Sequence, residues 1–186
     1  MNVVIVGCGR VGALVAATLD SVGHKVAIVD TSTLAFDRLP DDFKGTAIRG
    51  NGTDEEILRR AGTQDVDLFL ALTEGDNRNV MSAQIAAEVF DAKRVVAKIN
   101  DPLRAEAYAE LGIATVCRTN LMTDAVLGFI GLPGSGAPGV RAPAGAHPGA
   151  DHPPVLGAVG VGAPAATHGA GGATASPSTA RPATEV

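Results

Sequence analysis

The stretch Met1-Asn2-Val3-Val4-Ile5-Val6-Gly7-Cys8-Gly9-Arg10-Val11-Gly12 decides the fold. Residues 3–6 are an unbroken β-branched run, which is typical of a strand buried on both faces of a parallel sheet. A Gly-x-Gly-x-x-Gly motif follows, and apolar residues at three- and four-residue spacing then continue to Val22, which predicts a helix. A strand, a glycine loop and a helix in this order predict a phosphate-binding loop at the start of a βαβ unit.

Each residue of this loop has a predicted role. Gly7 permits the tight turn, Gly9 lets the backbone approach a pyrophosphate, and Gly12 lets the helix pack close to the strand. The free N–H groups and the positive dipole end of the helix face the same anion. Arg10 has three interpretations: a contact to a highly charged ligand, a contact to a phosphate held by a neighbouring subunit, or a solvated first-turn residue. A glycine-rich turn without a ligand is the alternative for the whole motif.

Asp30 ends the next predicted strand, 25–30, and stands 18 residues after Gly12. A carboxylate at this distance accepts the ribose hydroxyls of an adenosine and repels a 2′-phosphate. Thr31 and Ser32 supply no arginine to neutralise such a phosphate. The pattern therefore favours NAD(H), ATP or ADP over NADP(H), and its alternative is a solvated aspartate at the end of a strand.

The rest of the chain to residue 132 repeats the alternation of strand and helix. The predicted strands are 46–49, 67–72, 94–99 and 115–117, and the predicted helices are 33–39, 53–61, 76–90, 102–111 and 121–130. Thr53 and Glu56 have the spacing of a capping box at the start of one of these helices. We therefore expect an α/β fold with a Rossmann-like, doubly wound parallel sheet of about six strands.

Composition divides the 186 residues into two parts. Ala, Gly and Pro make up 34 of the 54 residues in 133–186, so we expect a disordered low-complexity tail after a nucleotide-binding domain at 1–132.

A two-domain dehydrogenase is excluded because no foldable residues remain for a substrate domain. The net charge of −5 argues against a nucleic-acid partner. From the sequence we expect no membrane-spanning segment and no secretory leader, and the two cysteines suit a reducing compartment.

Several segments together resemble one family, the N-terminal nucleotide-binding domain (TrkA-N or RCK) of Trk/Ktr-type potassium-uptake regulators. The resemblance covers residues 1–132, and it rests on the opening motif and on four later segments: 23–30, 50–54, 71–79 and 97–102. Leu111-Gly112-Ile113 before the sixth strand also fits. This combination is much more specific than the glycine motif alone.

The resemblance implies a cytoplasmic regulatory subunit at the inner face of the cell membrane and not an enzyme. Such domains bind NAD(H), ATP or ADP, form homo-dimers or larger rings, and act on a membrane potassium transporter subunit, in some cases with a second regulatory chain. The residues that match the family's binding motifs are Gly7, Cys8, Gly9, Arg10, Val11 and Gly12 for the phosphates, Asp30 with Thr31 for the adenine ribose, Gly50 and Asn51 for the adenine, Thr73 for the ribose-phosphate and Lys98 for the phosphates. A turn dipeptide at Asn51, a capping hydroxyl at Thr73 and a surface lysine at Lys98 are the alternatives.

The chain departs from the family at three places. Asn51 stands where an aspartate is usual, and the stretch Arg118-Thr119-Asn120 stands where some members have a glutamate that places a divalent ion, so we predict no metal. The third departure is that the sequence predicts the tail at the place where the family often has a second domain. The apolar helix at 121–130 is expected to contact a partner subunit, and packing on its own sheet is the alternative.

Two other functions compete with this interpretation. A small NAD-dependent oxidoreductase of the short-chain type needs a Tyr with a Lys four residues later, but the only tyrosine, Tyr108, is followed at that spacing by Gly112. No catalytic residue is therefore predicted. The third possible function is a scaffold protein that no longer binds a ligand, and the intact glycine loop with Asp30 argues against it.

Overall fold

The computed structural model describes residues 1–143. The tail predicted to be disordered lies, from residue 144 onward, outside the described residues. The strands are β1 (Asn2–Val6), β2 (Lys25–Asp30), β3 (Thr46–Arg49), β4 (Leu68–Ala71), β5 (Val95–Ile99), β6 (Ala114–Cys117) and β7 (Val140–Arg141). The α-helices are α1 (Arg10–Ser21), α2 (Glu55–Arg60), α3 (Asp76–Glu88), α4 (Pro102–Glu110) and α5 (Arg118–Phe129), and a 3₁₀ helix occupies Thr33–Arg38.

The strands form one sheet in the order β3-β2-β1-β4-β5-β6-β7. All neighbours pair in parallel except β6 and β7, which pair antiparallel. This confirms the expected doubly wound α/β fold. The strand order reverses direction between β1 and β4, and ligands of such sheets bind outside the carboxyl ends of the strands at this point.

Strand β1 is buried on both faces, as its β-branched sequence predicts. Val3 and Ile5 pack in the apolar cluster that includes Ala13 and Ala16 of α1. The alternate residues Val4 and Val6 pack in the cluster of the opposite face, with Leu58, Phe69 and Phe90. Burying both faces fixes the register of β1 and therefore the position of the loop that leaves its carboxyl end.

The seventh strand lies in a segment that composition assigned to the tail. Val140 pairs with Val116, and the Gly139 carbonyl accepts a 2.7 Å hydrogen bond from the Cys117 N–H. The segment is anchored to α5, since a carboxylate oxygen of Asp124 accepts hydrogen bonds from the N–H and the hydroxyl of Ser135. Residues 130–139 connect α5 to β7, which begins beside the carboxyl end of β6 and therefore runs antiparallel to it.

Two helix starts differ from the sequence expectation. Asp54, not Thr53, caps α2, because its carboxylate accepts hydrogen bonds from the N–H groups of Glu56 and Ile57. Helix α5 begins at Arg118, three residues before the expected start, directly after β6. In residues 1–143 no helix has the length and apolar character needed to cross a membrane.

Candidate functional site

The three glycines of the loop after β1 meet different constraints. Gly7 has a φ of +105°, and a Cβ there would stand 2.9 Å from the backbone of Leu72 and Thr73. A Cβ on Gly12 would overlap the Gly7 carbonyl, so α1 can pack against the loop only with glycine at this position. A Cβ on Gly9 would meet nothing within 4 Å. Gly7 and Gly12 are therefore required by the fold, whereas the space beside Gly9 is open to a ligand.

Asp30 connects β2 to the glycine loop. One carboxylate oxygen accepts a 2.7 Å hydrogen bond from the Cys8 N–H, and the other accepts a 2.9 Å bond from the Ser32 N–H. The carboxylate is therefore held in one position at the end of β2. Because a carboxylate oxygen has more than one acceptor direction, both oxygens can also accept ribose hydroxyls.

Cys8 contributes its backbone to the loop and its side chain to the core. The thiol is fully buried and donates a 3.3 Å hydrogen bond to the Ala35 carbonyl. Burial and the nearby charge of Asp30 raise the pKa of the Cys8 thiol from 9.0 to about 11, although the Arg38 guanidinium acts in the opposite direction. Cys8 is therefore protonated at neutral pH and is not a nucleophile in this site.

Two adjoining pockets open at the carboxyl ends of the central strands. The larger, of about 680 Å³, extends from Asp30 past the loop to Lys98, and the smaller, of about 60 Å³, lies between Asp30 and Asn51. Eleven of the twelve residues proposed from sequence line one pocket or the other: Gly7, Cys8, Gly9, Arg10, Val11, Asp30, Thr31, Gly50, Asn51, Thr73 and Lys98. Gly12 is buried behind the loop. The sequence motifs thus converge on one cleft.

The far wall of the cleft is organised by Asn79, the last residue of the segment 71–79 that resembles the family and not one of the predicted site residues. Its amide oxygen accepts hydrogen bonds from the N–H of Thr73 at 2.8 Å and from its hydroxyl at 2.6 Å. Its amide nitrogen donates to the carbonyls of Thr73 at 3.0 Å and Lys98 at 2.7 Å. Asn79 is fully buried, so these bonds hold the ends of β4 and β5 together without water.

Asp76 reinforces the same wall at the start of α3. One carboxylate oxygen accepts from both the backbone and the side-chain nitrogen of Asn100, and the other accepts from the Asp101 N–H at 3.2 Å. Asp101 in turn caps α4. The segment after β5 that carries Lys98 is therefore fixed to the segment after β4.

The residues expected beside the adenine form a turn at the end of β3. The exposed Asn51 accepts a 3.2 Å hydrogen bond from the Thr53 N–H, and the Gly50 N–H donates to the Asp30 carbonyl at 2.9 Å. A Cβ on Gly50 would stand 2.6 Å from the Ile57 side chain, so close packing accounts for this glycine. Both residues nevertheless line the smaller pocket next to Asp30.

Sequence reasoning missed three cations that line the two pockets, namely Arg38, Arg78 and Arg118. Arg78 lines the smaller pocket and forms a 2.8 Å ion pair with Glu74. Arg38 ends the 3₁₀ helix and lines the larger pocket near Asp30, and Arg118 lines the same pocket near Lys98. Arg38 belongs to no motif, and Arg118 was noted only as a departure from a metal-placing glutamate. The position of Arg118 directly after a predicted strand end was the available signal. Within residues 1–143, no group of three or more His, Cys, Asp or Glu side chains is arranged to hold a metal ion.

Comparison with known proteins places this arrangement in a family. The model of the TrkA-N domain matches residues 3–119. The chain belongs to the TrkA-N family. The matched span contains all twelve proposed site residues, so the cleft lies entirely within the TrkA-N domain.

Curated relatives are similar to this chain over part of their length. The chain is 42% identical over 127 residues to the Trk system potassium uptake protein TrkA of Streptomyces coelicolor, which covers 68% of this chain and 57% of that protein. It is 32% identical over 111 residues to the TrkA homolog of Pyrococcus abyssi, which covers 60% of this chain and 49% of that protein. The chain spans about half the length of these relatives.

Two solved structures have the same fold as this chain. The TrkA-N domain of the inner membrane protein ybaL from Escherichia coli has a TM-score of 0.62 at 19% identity, over 69% of this chain and 96% of that one. The Shewanella denitrificans Kef CTD, solved in an AMP-bound form, has a TM-score of 0.57 at 22% identity, over 70% and 82% of the two chains. At this level of identity the similarity establishes the shared fold.

Proposed function

We propose that this chain is a nucleotide-sensing regulatory subunit of a Trk/Ktr-type potassium transport system. It binds NAD(H), ATP or ADP in the cleft above the glycine loop and changes the state of a membrane partner without making or breaking a bond. The observation that carries the proposal is one continuous cleft, in a TrkA-N domain, that is bounded by the open side of Gly9, the fixed carboxylate of Asp30 and the side chain of Lys98.

The adenosine half of the ligand lies at the Asp30 end of the cleft in this proposal. The Asp30 carboxylate is held by two backbone N–H groups, so it is positioned for the ribose before the ligand arrives. Arg38 lines the same part of the cleft, so the lack of an arginine at positions 31 and 32 does not by itself exclude a 2′-phosphate. NADPH is therefore an informative competitor in any binding experiment.

The phosphates lie at the N-terminus of α1. The first residues of this helix present N–H groups without a side-chain cap, and Gly9 leaves the approach open. Arg10 lines the cleft beside them and adds a full positive charge. This arrangement supports the interpretation of Arg10 as a ligand contact rather than as a solvated residue.

The oxidoreductase alternative finds neither a histidine nor a tyrosine in the cleft. Tyr108 packs against the apolar cluster that includes Ile99 and Ile113, away from the glycine loop. These placements favour a binding function over catalysis.

Regulation follows if the ligand binds one state of an assembly more tightly than another. In this proposal the assembly is a homo-dimer or larger ring, with or without a second regulatory chain, at the cytoplasmic face of a membrane potassium transporter. The names of the curated relatives as Trk system potassium uptake proteins support the choice of partner.

Calorimetric titration of the full chain with NADH, NAD⁺, NADPH, ATP and ADP tests the binding step. We expect NADH or an adenine nucleotide to bind, and we expect Asp30→Asn and Arg10→Ala each to weaken binding about tenfold or more, because each removes a charge-assisted contact. Asp37→Asn and Arg60→Ala are matched controls, since both residues are exposed and line neither pocket. A folded wild-type chain that binds none of the five nucleotides would overturn the proposal.

A further inference from the structure

A separate pocket opens at the edge of the sheet opposite the nucleotide cleft. Its lining includes Leu68 of β4, Val95 and Val96 of β5, Ala114 of β6, and Val140 and Arg141 of β7. The residues from β4, β5 and β6 are the first of their strands, so we call this site the amino-end pocket. The nucleotide cleft lies at the carboxyl ends of the strands, and no residue lines both sites.

The amino-end pocket has the size and the lining of a site for a small apolar group. Its volume is about 350 Å³, which is within the range of small-molecule sites. All of its residues named above except Arg141 are apolar, and the end of α3 adds the methyl group of Ala87. Hydrocarbon that enters this pocket leaves water, which favours binding.

The charged side chains at this pocket are all basic. They are Lys93, Arg94 and Arg141, and none of the described residues that line the pocket is acidic. A 2.7 Å ion pair with Asp67 neutralises Lys93. Across residues 1–143, no carboxylate oxygen lies within 4.0 Å of Arg94. The pocket therefore joins an apolar lining to a positive charge that the described residues leave without an ion pair.

Arg141 adds an unused hydrogen-bond donor at the same place. Its Nε is buried and has no hydrogen-bond partner within the described part of the chain. Its ion pair with the half-exposed Glu106 is 3.7 Å long, which is beyond hydrogen-bonding distance. A buried donor without a partner is unfavourable, and a ligand with an acceptor oxygen removes this cost.

We propose that the amino-end pocket binds a small amphipathic carboxylate of the medium-chain fatty acid class. The hydrocarbon chain packs among Leu68, Val96 and Val140, and the carboxylate accepts hydrogen bonds from Arg141 beside the charge of Arg94. A neutral ligand without an acceptor would leave Nε of Arg141 unpaired, and a cation would be repelled by both arginines. A carboxylate is favoured over a phosphate, because its single negative charge balances the one basic side chain without an ion pair. The inference is independent of the nucleotide function, since the two sites share no residue.

The test compares three ligands with the same hydrocarbon chain in calorimetric titrations of the full chain. They are octanoate, octanol and octylammonium, each used below the concentration at which it forms micelles or separates from water. We expect octanoate to bind about tenfold or more tightly than either of the others, because it alone pairs with the arginines. Arg141→Gln should weaken octanoate binding about tenfold or more and change octanol binding by less than about twofold.

Two further variants separate the pocket from the rest of the surface. Ala142→Phe places a large side chain at the pocket and should weaken octanoate and octanol binding together. Arg60→Gln is the matched control for charge, since Arg60 is exposed and lines neither this pocket nor the nucleotide cleft. Circular dichroism and thermal unfolding check that each variant folds.

Other occupants of the pocket give different results. A wild-type chain that does not bind octanoate, or that binds it as weakly as octanol, overturns the proposal, as does an Arg141→Gln variant with unchanged octanoate binding. Binding to phosphatidylglycerol vesicles without binding to free octanoate overturns it in favour of a membrane surface. If octanoate does not bind and Ala142→Phe lowers the sedimenting mass to that of one chain, a second copy covers the pocket. If octanoate binds only to a Leu156→Asp variant, an apolar segment of the chain's own later sequence takes the pocket instead.

Discussion

At the scale of single residues, two glycines of the loop after β1 differ in whether the fold requires them. Gly12 is required by the fold, because any side chain there would collide with the Gly7 carbonyl. Gly9 has ordinary backbone angles, with a φ of −75°, and open space beside it, so the fold would accept alanine. The fold therefore does not require glycine at position 9, and the proposed function accounts for it by the close approach of a ligand to the backbone.

Cys8 provides a prediction that depends on pH. Since its pKa is about 11 in the folded chain instead of 9.0, the thiolate fraction at pH 8 is about a hundredfold smaller than in the unfolded chain. We expect iodoacetamide to alkylate Cys8 in native protein at least that much more slowly than in urea, and the native rate to rise as the pH approaches 11. Mass spectrometry of the peptide that contains Cys8 measures both rates.

The raised pKa of Cys8 also determines how the free energy of unfolding changes with pH. The folded state holds the thiol proton more tightly, so the free energy of unfolding falls as the pH rises from about 9 toward 11. Asp30→Asn serves as the control, because removing the negative charge next to Cys8 should lower the pKa and speed alkylation. Equal alkylation rates in native buffer and in urea at pH 8 would contradict the burial described here.

Most of the candidate site was accessible from the sequence because its residues sit at fixed places in the βαβ pattern. Asp30 was found by its distance from Gly12, whereas Lys98 was proposed from the resemblance to the TrkA-N family. The hydrogen bonds that hold the Asp30 carboxylate were not predictable, since they depend on how β2 meets the loop. Arg38 was missed because it reaches the cleft from a short helix without any motif.

At the scale of elements, one buried side chain adds hydrogen bonds between the segment after β4 and the end of β5. Asn79 on α3 makes four hydrogen bonds to Thr73 and Lys98 in a fully buried position. We expect Asn79→Ala to lower the free energy of unfolding by about 3 kcal/mol, because it leaves buried backbone groups without partners. Urea unfolding followed by circular dichroism measures the change.

Asn77 on the same helix provides the matched control. Its side chain is exposed, so Asn77→Ala should change the free energy of unfolding by less than about 0.5 kcal/mol. If both variants unfold at the same urea concentration as the wild-type chain, the Asn79 network does not stabilise the sheet. Loss of nucleotide binding by Asn79→Ala at temperatures where it is folded would show that the network also positions Lys98.

The helices and strands were predicted where several features of the sequence indicate the same element. Strand β1 combines β-branched residues, burial on both faces and a following glycine loop, so every signal agrees. Strand β7 has only two residues within a segment rich in Gly, Pro and Ala. It forms because Asp124 holds Ser135 and because β6 offers a free edge, and neither contact is visible as a pattern in the chain.

At the scale of the whole molecule, the apolar surface on and after α5 is the least explained by the fold. Val126 is 53% exposed, Phe129 is 92% exposed and Ile130 is 59% exposed. Exposed apolar side chains that cluster in this way are typical of surfaces that contact another protein chain. The proposed homo-oligomer gives this surface a partner in a second copy of the chain.

This proposal predicts that a charge on the exposed helix end changes assembly without changing folding. Phe129→Asp should lower the mass measured by analytical ultracentrifugation toward that of a single chain, because a buried carboxylate in an apolar contact is unfavourable. Its thermal unfolding at low protein concentration should stay close to that of the wild-type chain, since Phe129 has little contact with its own domain. Leu103→Asp is the control, because Leu103 is 78% exposed but lies on α4, outside this surface. A wild-type chain that sediments as a single species of one chain, or a Leu103→Asp variant that dissociates to the same extent as Phe129→Asp, would show that α5 does not form the contact.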